Sequence, residues 1–284
     1  MKINDYVKLL RPEQYYKNFV VFLALYFSGN LLNLGLVKSS VIGFVLLCIL
    51  SSANYVINDI IDRKSDRHNR EKANRPVASG KISVYSAAIA AAALLVVSLG
   101  FAYTVNQQFF MIATAIFLLA SLYSFILRKE LFLDIIAISF NYVLRAIAEA
   151  VLIGVWTSPW LVVGTFFLAL FLATGKRKSE KMYLETDARR HRPLLDEYSN
   201  DALNFLLQMS ATVLLLSYAL YSFLGNNPHL VFTLPIVLYA ILRYLYLLEA
   251  KAPETRALTK AFTDKRFLAA AALYVAASIF ILYF

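Results

Sequence analysis

Apolar runs of about 20 residues alternate with short polar connections along almost the whole chain. An α-helix of about 20 apolar residues is long enough to cross the roughly 30 Å hydrocarbon core of a bilayer. The pattern therefore predicts an all-α, polytopic membrane protein of about nine transmembrane helices, folded as one domain over 1–284. We place the spans at 18–36, 38–60, 83–104, 108–127, 130–155, 158–175, 201–224, 229–248 and 267–284.

Composition supports this pattern and narrows the chemistry. Hydrophobic residues make up 60% of the chain and charged residues 16%, which leaves too little polar surface for a water-soluble globule of this size. Cys48 is the only cysteine, so an intramolecular disulfide is excluded and a cysteine-based metal site is implausible. We expect Cys48 to pack in the apolar interior. The N-terminal residues show no small-residue cleavage pattern, and we expect no removable signal peptide.

Basic residues are distributed unequally between the two sides of the predicted spans. Nearly all of the 28 Lys and Arg residues lie in the N-terminal segment and near the connections after the second, fourth, sixth and eighth spans. This asymmetry predicts a multi-pass protein of the cell membrane with its N-terminus in the cytosol and, after an odd number of spans, Phe284 outside. The formal charge of +10 suits membrane orientation and phosphate binding better than nucleic acid, because no soluble basic module is present.

The most informative stretch, NDIIDRKSDRHNREKANRPVASG, runs from Asn58 to Gly80 at the end of the second predicted span. Three carboxylates that meet in one place repel one another unless a cation neutralises them. A hard cation that keeps part of its water while sharing phosphate oxygens is Mg²⁺. We therefore expect a magnesium site here, with the three aspartates catalytic. Four side chains share a helical arc of roughly 100° and form this site: Asn58, Asp59, Asp62 and Asp66.

Cations follow these carboxylates along the chain. Lys72 and Arg75 in particular are donors suited to the oxygens of a phosphorylated ligand. The alternative is a solvated, charged loop that anchors a span on the cytosolic side. The helical spacing of the carboxylates at the end of an apolar run favours the site.

The N-terminal segment RPEQYYKN, from Arg11 to Asn18, has two interpretations that the sequence leaves open. A helical spacing of three and four residues predicts one face that grips a lipid phosphate. Alternatively, the two tyrosines form an interfacial aromatic belt while the cations extend to lipid headgroups. The residues of the first interpretation are Arg11, Gln14, Tyr15 and Asn18, with Lys17 beside them as a further phosphate ligand.

The fifth predicted span carries ionisable residues, which are rare inside a bilayer unless they face a cavity or one another. These residues form one polar stripe along the helix, which must therefore face the protein interior. Arg145 and Glu149 are at i and i+4, so they are either a buried pair that fixes helix packing or part of the ligand site. Asp134, nearer the cytosolic end, is the better ligand-side candidate. The stripe occupies an arc of about 80° and comprises Asp134, Asn141, Arg145 and Glu149.

The loop after the sixth span begins with GKRKSE. If that span continues as a helix, Lys176, Arg177 and Glu180 share an arc of about 100° and face the aspartate cluster across a cavity. They would offer two phosphate donors and one acceptor. Arg243 in the eighth span is a further candidate for a buried ion pair.

These motifs together resemble the UbiA superfamily of intramembrane prenyltransferases. The segments RPEQYYKN, NDIIDRKSD through RPVASG, LDIIAISFNYVLRAIAEA and GKRKSE look most like its decaprenyl-phosphate phosphoribosyltransferase branch. The resemblance implies helices around a central polar cavity open to the cytosol, and Mg²⁺-dependent transfer of 5-phosphoribose from phosphoribosyl pyrophosphate to a polyprenyl phosphate. It also implies that the aspartate motif holds the magnesium diphosphate. Phosphate-binding residues by resemblance are Arg11, Lys17, Lys72, Arg75, Lys176 and Arg177.

Three positions depart from that branch. Tyr15 replaces a usual tryptophan, Asn69 follows His68 where proline is usual, and Glu149 occupies a place commonly given to glycine. Two other functions stay open: a prenyltransferase acting on an aromatic or glycerol phosphate acceptor, and a transporter of a phosphorylated solute. The absence of a second DxxxD motif after the sixth span favours the phosphoribosyl donor. Homo-oligomerisation is left open by the sequence.

Overall fold

A computed structural model describes residues 3–69, 72–183, 194–225, 227–249 and 263–284. Within these ranges all regular structure is helical. The first half contains α1 (Ile3–Leu10), a 3-10 helix (Pro12–Val21), α2 (Phe22–Phe27), α3 (Leu34–His68), α4 (Val84–Val105) and α5 (Gln107–Phe125). The second half contains α6 (Leu133–Ile153), α7 (Pro159–Tyr183), α8 (Leu194–Glu197), α9 (Asn200–Leu224), α10 (Leu234–Glu249) and α11 (Lys265–Tyr283), with 3-10 turns at Leu127–Lys129 and Pro228–Thr233.

Eight helical segments in the described part of the chain are long and apolar enough to cross a membrane. This confirms the predicted all-α membrane fold. The difference from prediction lies in the first span, 18–36, which is not one continuous helix. Gly29 adopts a left-handed φ of 73°, and the Asn33 side chain accepts hydrogen bonds from the backbone N–H groups of Gly35 (3.1 Å) and Leu36 (3.3 Å). These capping bonds begin α3 inside what is, by hydropathy, one apolar run.

The segment before this turn is unusual because a 3-10 helix of 10 residues precedes the 6 residues of α2. At about 2.0 Å per 3-10 residue and about 1.5 Å per α-helical residue, Pro12–Phe27 advances about 29 Å. That length is close to the thickness of the hydrocarbon core. The segment is not among the eight apolar spans, so the ninth crossing and the side of the membrane that Phe284 occupies stay predictions.

The starts of several long helices follow from capping side chains. Each cap accepts a hydrogen bond from the backbone N–H three residues later, which satisfies a donor that the first helical turn leaves unpaired. The donor to acceptor distances lie between 2.7 and 3.0 Å. The caps are Ser83 for α4, Asn106 for α5, Ser199 for α9 and Asp264 for α11.

Tertiary contacts divide the chain into two compact units. The first comprises the described residues of Met1–Ile126 and Leu144–Trp156, and the second those of Leu127–Val143 and Thr157–Phe284. Residues of α6 therefore belong to both units. The predicted organisation as one domain over 1–284 stays a prediction.

Each unit has its own apolar core. In the first unit one cluster joins α3, α5 and α6, and another joins α1, α3, α4 and the loop before α4. In the second unit one cluster joins α7, α9 and α10. The principal buried side chains are Leu47, Leu50, Phe109 and Ile116; Leu9, Val56, Val77 and Ile82; and Phe171, Leu207, Tyr244 and Leu248.

Two glycines allow close helix approach within these cores. A Cβ atom on Gly43 of α3 would lie 2.6 Å from Leu152 and 3.0 Å from the carboxylate of Glu149, both on α6. A Cβ atom on Gly175 of α7 would lie 2.5 Å from the hydroxyl of Tyr244 on α10. Small residues at such crossings let helices pack at short distance in a bilayer.

Candidate active site

The predicted acidic motif lies on the last three turns of α3, where Asp59 and Asp66 are buried. Asp59 Oδ1 accepts hydrogen bonds from the guanidinium of Arg11 and from Arg75 Nη1 at 3.2 Å. Arg75 Nη1 also donates to Asp66 Oδ2 at 2.7 Å. Two arginines therefore supply counter-charge that the sequence reasoning assigned to a metal ion alone. Asp62 lies half-buried on the same helix.

Arg75 reaches these carboxylates because the loop that carries it is anchored. The backbone N–H of Ser79 donates to the carbonyl of Arg75 at 2.9 Å, and that of Ile82 to the carbonyl of Pro76 at 3.0 Å. Val77 and Ile82 are buried in the cluster formed with α1, α3 and α4. The RPVASG motif thus acts as a packed turn that holds a guanidinium in place. Lys72, earlier in the same loop, is exposed.

Two oxygen atoms of this cluster lack hydrogen-bond partners among the described residues. They are Asn58 Oδ1 and Asp59 Oδ2, and both are buried. A buried acceptor left unpaired costs about 1–3 kcal/mol, so native structures keep few of them. Amide and carboxylate oxygens are also the ligands that Mg²⁺ prefers. The donor set therefore fits the predicted ion.

The protein side chains do not form a complete metal site by themselves. Among the residues that the structure describes, no three His, Cys, Asp or Glu side chains are grouped closely enough to hold a metal ion. A Mg²⁺ ion commonly takes only one or two carboxylates and completes its shell with water and substrate phosphates. Asn58 and Asp59, with Asp62 and Asp66 nearby, would hold such an ion together with a phosphorylated substrate.

The predicted α-helical face of Arg11, Gln14, Tyr15 and Asn18 is wrong, because this segment is a 3-10 helix. With three residues per turn, Tyr15, Asn18 and Val21 are aligned, and they face α3. The Tyr15 hydroxyl lies 2.8 Å from Ser52 Oγ, and Asn18 Nδ2 donates to Cys48 Sγ at 3.1 Å. Gln14 and Lys17 share the next row. Tyr15 therefore contacts protein rather than forming an interfacial belt.

Two cations lie over the ring of Tyr55, a residue that the sequence reasoning missed, and a third binds one helical turn away. The guanidinium carbon of Arg11 is 5.5 Å from the ring centroid, and Lys17 Nζ is 5.9 Å from it. Arg145 Nη1 donates to Ser51 Oγ at 3.1 Å, one turn of α3 before Tyr55. A tyrosine and a serine within an apolar run carry no sequence signal beyond packing. Only the fold identifies them.

The alternative that Arg145 and Glu149 form a buried pair is wrong. Glu149 is fully buried, and neither of its carboxylate oxygens makes a hydrogen bond of normal geometry among the described residues, although the buried hydroxyl of Ser40 on α3 lies near enough to act on it. Its side chain lies beside Gly43, whereas Arg145 bonds to Ser51. These two positions on α3 are separated by about 12 Å along the helix, so the two side chains diverge. The stripe's other amide, Asn141, is half-buried in α6.

A separate polar network lies in the second unit and centres on Asp134. Arg177 Nε donates to Asp134 Oδ2 at 2.8 Å, and the Tyr198 hydroxyl donates to Asp134 Oδ1 at 2.5 Å. The Tyr198 hydroxyl also accepts from the backbone N–H of Phe132 at 3.1 Å. Lys181 donates to the Tyr198 carbonyl. Burial, followed by the hydrogen bond to Asp134, raises the pKa of Tyr198 above its usual range.

This network changes how the GKRKSE motif is interpreted. Arg177 is buried and binds both Asp134 and Glu180, the latter at 3.2 Å. Lys176, by contrast, keeps 51% of its side chain exposed and lies 3.7 Å from Glu180. Within the motif, Lys176 and Glu180 are thus accessible to a ligand, while Arg177 holds the helix end together.

Arg243 has the ion-pair partner expected for it, although the sequence did not identify that partner. Its Nε and Nη2 atoms donate to the two carboxylate oxygens of Asp264 at 3.1 and 2.7 Å. The hydrogen bond from Arg243 lowers the pKa of Asp264 to about 2. This pair fixes the start of α11 against α10.

Comparisons with known proteins agree with the resemblance. The profile described as the UbiA prenyltransferase family matches residues 19–270. A decaprenyl-phosphate phosphoribosyltransferase of Corynebacterium glutamicum is 32% identical over 76% of this chain and 67% of its own. The enzyme of the same name from Mycobacterium tuberculosis is 30% identical over 83% of this chain and 82% of its own.

The fold agrees as well. A solved UbiA homologue from Archaeoglobus fulgidus, bound to GPP and Mg²⁺, superposes with a TM-score of 0.74 over 98% of this chain and 99% of its own, at 19% identity. At that identity the likeness concerns the fold alone. The profile match covers most of the sequence, and the architecture is that of a membrane-embedded transferase. The chain belongs to the UbiA prenyltransferase family.

Proposed function

We propose that this protein transfers 5-phosphoribose from phosphoribosyl pyrophosphate to a polyprenyl phosphate at the cytosolic face of the membrane, with Mg²⁺. The main support for the proposal is the carboxylate cluster on α3, in which some buried oxygen atoms are bonded to arginine and others have no partner among the described residues. Asp59 and Asp66 bind two arginines, while Asn58 Oδ1 and Asp59 Oδ2 are buried without partners. Carboxylate and amide oxygens can bind the metal ion, and the neighbouring guanidinium groups can bind the oxygens of a diphosphate. The names of the bacterial relatives point to the same reaction.

The donor is further indicated by the GKRKSE motif. Phosphoribosyl pyrophosphate carries a 5-phosphate that a prenyl diphosphate lacks. Lys176 offers an exposed ammonium for a phosphate, and Glu180 an acceptor for a ribose hydroxyl. The same stretch lacks the DxxxD spacing that a second metal-binding motif would need. Cations in place of carboxylates favour direct contact with a phosphate.

The chemical step is a displacement at the anomeric carbon of the ribose. An oxygen of the lipid phosphate bonds to that carbon, while the bond from the carbon to the diphosphate oxygen breaks and its electron pair leaves with diphosphate. The nucleophile is already an anion at neutral pH, so no proton has to be removed. Arg75 and Arg11 stabilise the charge that grows on the leaving group. When bound, Mg²⁺ neutralises further charge on the diphosphate.

A prenyltransferase reaction is the second candidate. The solved archaeal homologue is described with GPP and Mg²⁺, and the cluster at Asp59 suits any diphosphate. In that case the carbon–oxygen bond of a prenyl diphosphate would break, and an aromatic or glycerol phosphate acceptor would capture the prenyl group. The two reactions release the same leaving group but consume different donors.

The decisive experiment compares donors on purified protein with Mg²⁺. With a polyprenyl phosphate present, we expect consumption of phosphoribosyl pyrophosphate and release of diphosphate. Lys176→Ala should raise the donor KM about tenfold, or about 1.4 kcal/mol. For a donor without the 5-phosphate, the KM of the wild type should rise by a similar factor. The KM of the Lys176→Ala variant should then rise little further. Diphosphate release from geranylgeranyl diphosphate with an aromatic acceptor, and none from phosphoribosyl pyrophosphate, would favour the prenyltransferase.

The orientation belongs to the same proposal, because phosphoribosyl pyrophosphate is a water-soluble metabolite that reaches the protein from the cytosol. The only native cysteine, Cys48, is buried, so background labelling should be low. A cysteine introduced at Asn227 should react with an impermeant thiol reagent added outside intact cells, and one introduced at the exposed position Lys129 should not. The opposite pattern would overturn the orientation.

A further inference from the structure

The cations around Tyr55 are not explained by the diphosphate site alone. Arg11 binds Asp59 and so belongs to that site. Lys17 and Arg145 approach α3 further toward its apolar end, at Tyr55 and Ser51. A positive charge on a membrane-spanning helix is costly and normally marks a binding or transport function. The arginine of α6 and the lysine of the 3-10 helix therefore approach α3 at two positions that are one helical turn apart.

We propose that Lys17, Arg145 and Tyr55 bind the phosphate of the lipid acceptor, and that this site is distinct from the diphosphate site at Asp59. The identity of the acceptor rests on the proposed function. Ammonium and guanidinium groups bind phosphate through charge-assisted hydrogen bonds, and the Tyr55 hydroxyl can donate another. Ser51 orients the guanidinium of Arg145.

The spacing of the two sites suits a displacement reaction. Tyr55 and Asp59 are at i and i+4, one turn of α3 apart, which is about 6 Å along the helix. The reacting carbon must lie between the leaving diphosphate and the attacking oxygen, with the latter about 3–3.5 Å away. One helical turn provides a separation of that scale. Sites several turns apart would not.

The direction of the spacing suits the two substrates. The acceptor keeps its polyprenyl chain in the bilayer, whereas the donor is soluble in water. Tyr55 lies toward the apolar end of α3, and the motif from Asn58 to Asp66 lies toward its polar end. The lipid phosphate therefore approaches from the membrane, and the donor from the aqueous side.

The test measures lipid binding without donor or Mg²⁺, so it does not depend on turnover. A fluorescent polyprenyl phosphate and the matching uncharged polyprenol are titrated into protein purified in neutral detergent. We expect the wild type to prefer the phosphate at least tenfold, and Arg145→Gln and Lys17→Gln each to lose most of that preference. Lys129→Gln removes an exposed cation at Leu127–Lys129 and should retain it.

Kinetics provide the second measurement. Lys17→Gln should raise the acceptor KM at least tenfold while the donor KM changes less than twofold, and Arg145→Lys should retain part of the lost affinity. Lys17 lies on the 3-10 helix, so its variant tests the site even if Arg145→Gln fails to fold. Equal rises in both KM values, or a preserved preference for the phosphate, would overturn the inference.

Competitors separate the sources of phosphate. Neither inorganic phosphate nor phosphatidylglycerol at equal concentration should displace the polyprenyl phosphate. Effective displacement by either would identify a general anion or headgroup site and overturn the acceptor assignment. The wild type could fail to consume phosphoribosyl pyrophosphate while the variants lose lipid binding. That result would support the site and contradict the proposed function. Variants that still use phosphoribosyl pyrophosphate with an unchanged acceptor KM would support the proposed function and overturn the acceptor site.

Discussion

Asp59 and Asp134 are both buried aspartates on apolar helices, and each binds an arginine, yet their surroundings differ in one respect. Both oxygens of Asp134 are used, one by Arg177 and one by Tyr198. Asp59 places two arginines on a single oxygen and leaves the other buried without a partner among the described residues. The two carboxylates are alike in burial and charge, but they differ in how many of their oxygens accept hydrogen bonds.

This difference distinguishes a carboxylate whose two oxygens are both bonded within the protein from one with an open oxygen, which we propose binds the metal diphosphate. A saturated buried ion pair has no capacity for a substrate, and breaking it leaves an uncompensated charge. A carboxylate with an open buried oxygen can accept a metal ion or a donor without losing its existing bonds. Substitutions at the two sites should therefore affect different measurements.

The largest effect on stability is expected at the saturated site. Asp134→Ala leaves the guanidinium of Arg177 and the hydroxyl of Tyr198 without their shared partner. We expect the free energy of unfolding to fall by about 3–5 kcal/mol, measured by thermal or denaturant unfolding in detergent. Glu130→Ala, which removes an exposed acid, is the matched control and should change little. A loss below about 1 kcal/mol would show that the network does not support the fold.

At the open site we expect the larger effect on activity. Asp59→Asn retains an oxygen for Arg11 and Arg75 but removes the charge offered to a metal diphosphate. The value of kcat/KM should fall at least 100-fold, about 2.7 kcal/mol of transition-state stabilisation. The free energy of unfolding should change less than in Asp134→Ala. Retention of more than about a tenth of wild-type activity would mean that Asp59 is not an essential ligand.

A smaller effect on stability is expected at Tyr198. Tyr198→Phe keeps the ring but removes the hydroxyl that binds Asp134 and Phe132. We expect a loss of about 1–3 kcal/mol, because two buried groups lose a partner. Tyr103→Phe removes an exposed hydroxyl and serves as the control. Equal stability of the two variants would contradict the assignment of Tyr198 to the network.

The smallest effect is expected at Glu149, which makes no hydrogen bond of normal geometry among the described residues. Glu149→Gln preserves shape and breaks no bond seen in the structure, so the free energy of unfolding should change by less than about 1 kcal/mol. A loss above about 2 kcal/mol would show that the carboxylate has a partner that glutamine does not satisfy, and the buried hydroxyl of Ser40 is the first candidate. Glu149 thus extends the comparison to a carboxylate with neither oxygen occupied.

Periodicity predicted much of the fold and the location of the acidic motif. Apolar runs long enough to cross the membrane predicted the long helices. Helical spacing predicted that Asn58, Asp59 and Asp66 share one face of α3. The start of α3 was misplaced because hydropathy does not register a capping side chain such as Asn33. The 3-10 winding after Arg11 was missed because a segment of mixed polarity has no distinctive 3-10 period.

The pairing of charges was much less predictable. Spacing along one helix ranks neighbours at i+3 and i+4, but it cannot show which side chain arrives from another element. Asp134 meets Tyr198 across 64 residues of sequence, and Arg75 meets Asp59 only because a packed turn aims it there. Arg145 and Glu149, which their i and i+4 spacing allowed to pair, diverge toward different parts of α3.

The length of α3 has a consequence for the lipid. Its 35 residues measure about 52 Å at about 1.5 Å each, whereas the hydrocarbon core is about 30 Å thick. The polar end of α3, from about Tyr55 to His68, therefore extends to the depth of the headgroups. A lipid phosphate already resides at that depth. At the site that we propose, the acceptor would bind without its phosphate being pulled into the bilayer, and membrane thickness would set how well substrate and enzyme are aligned.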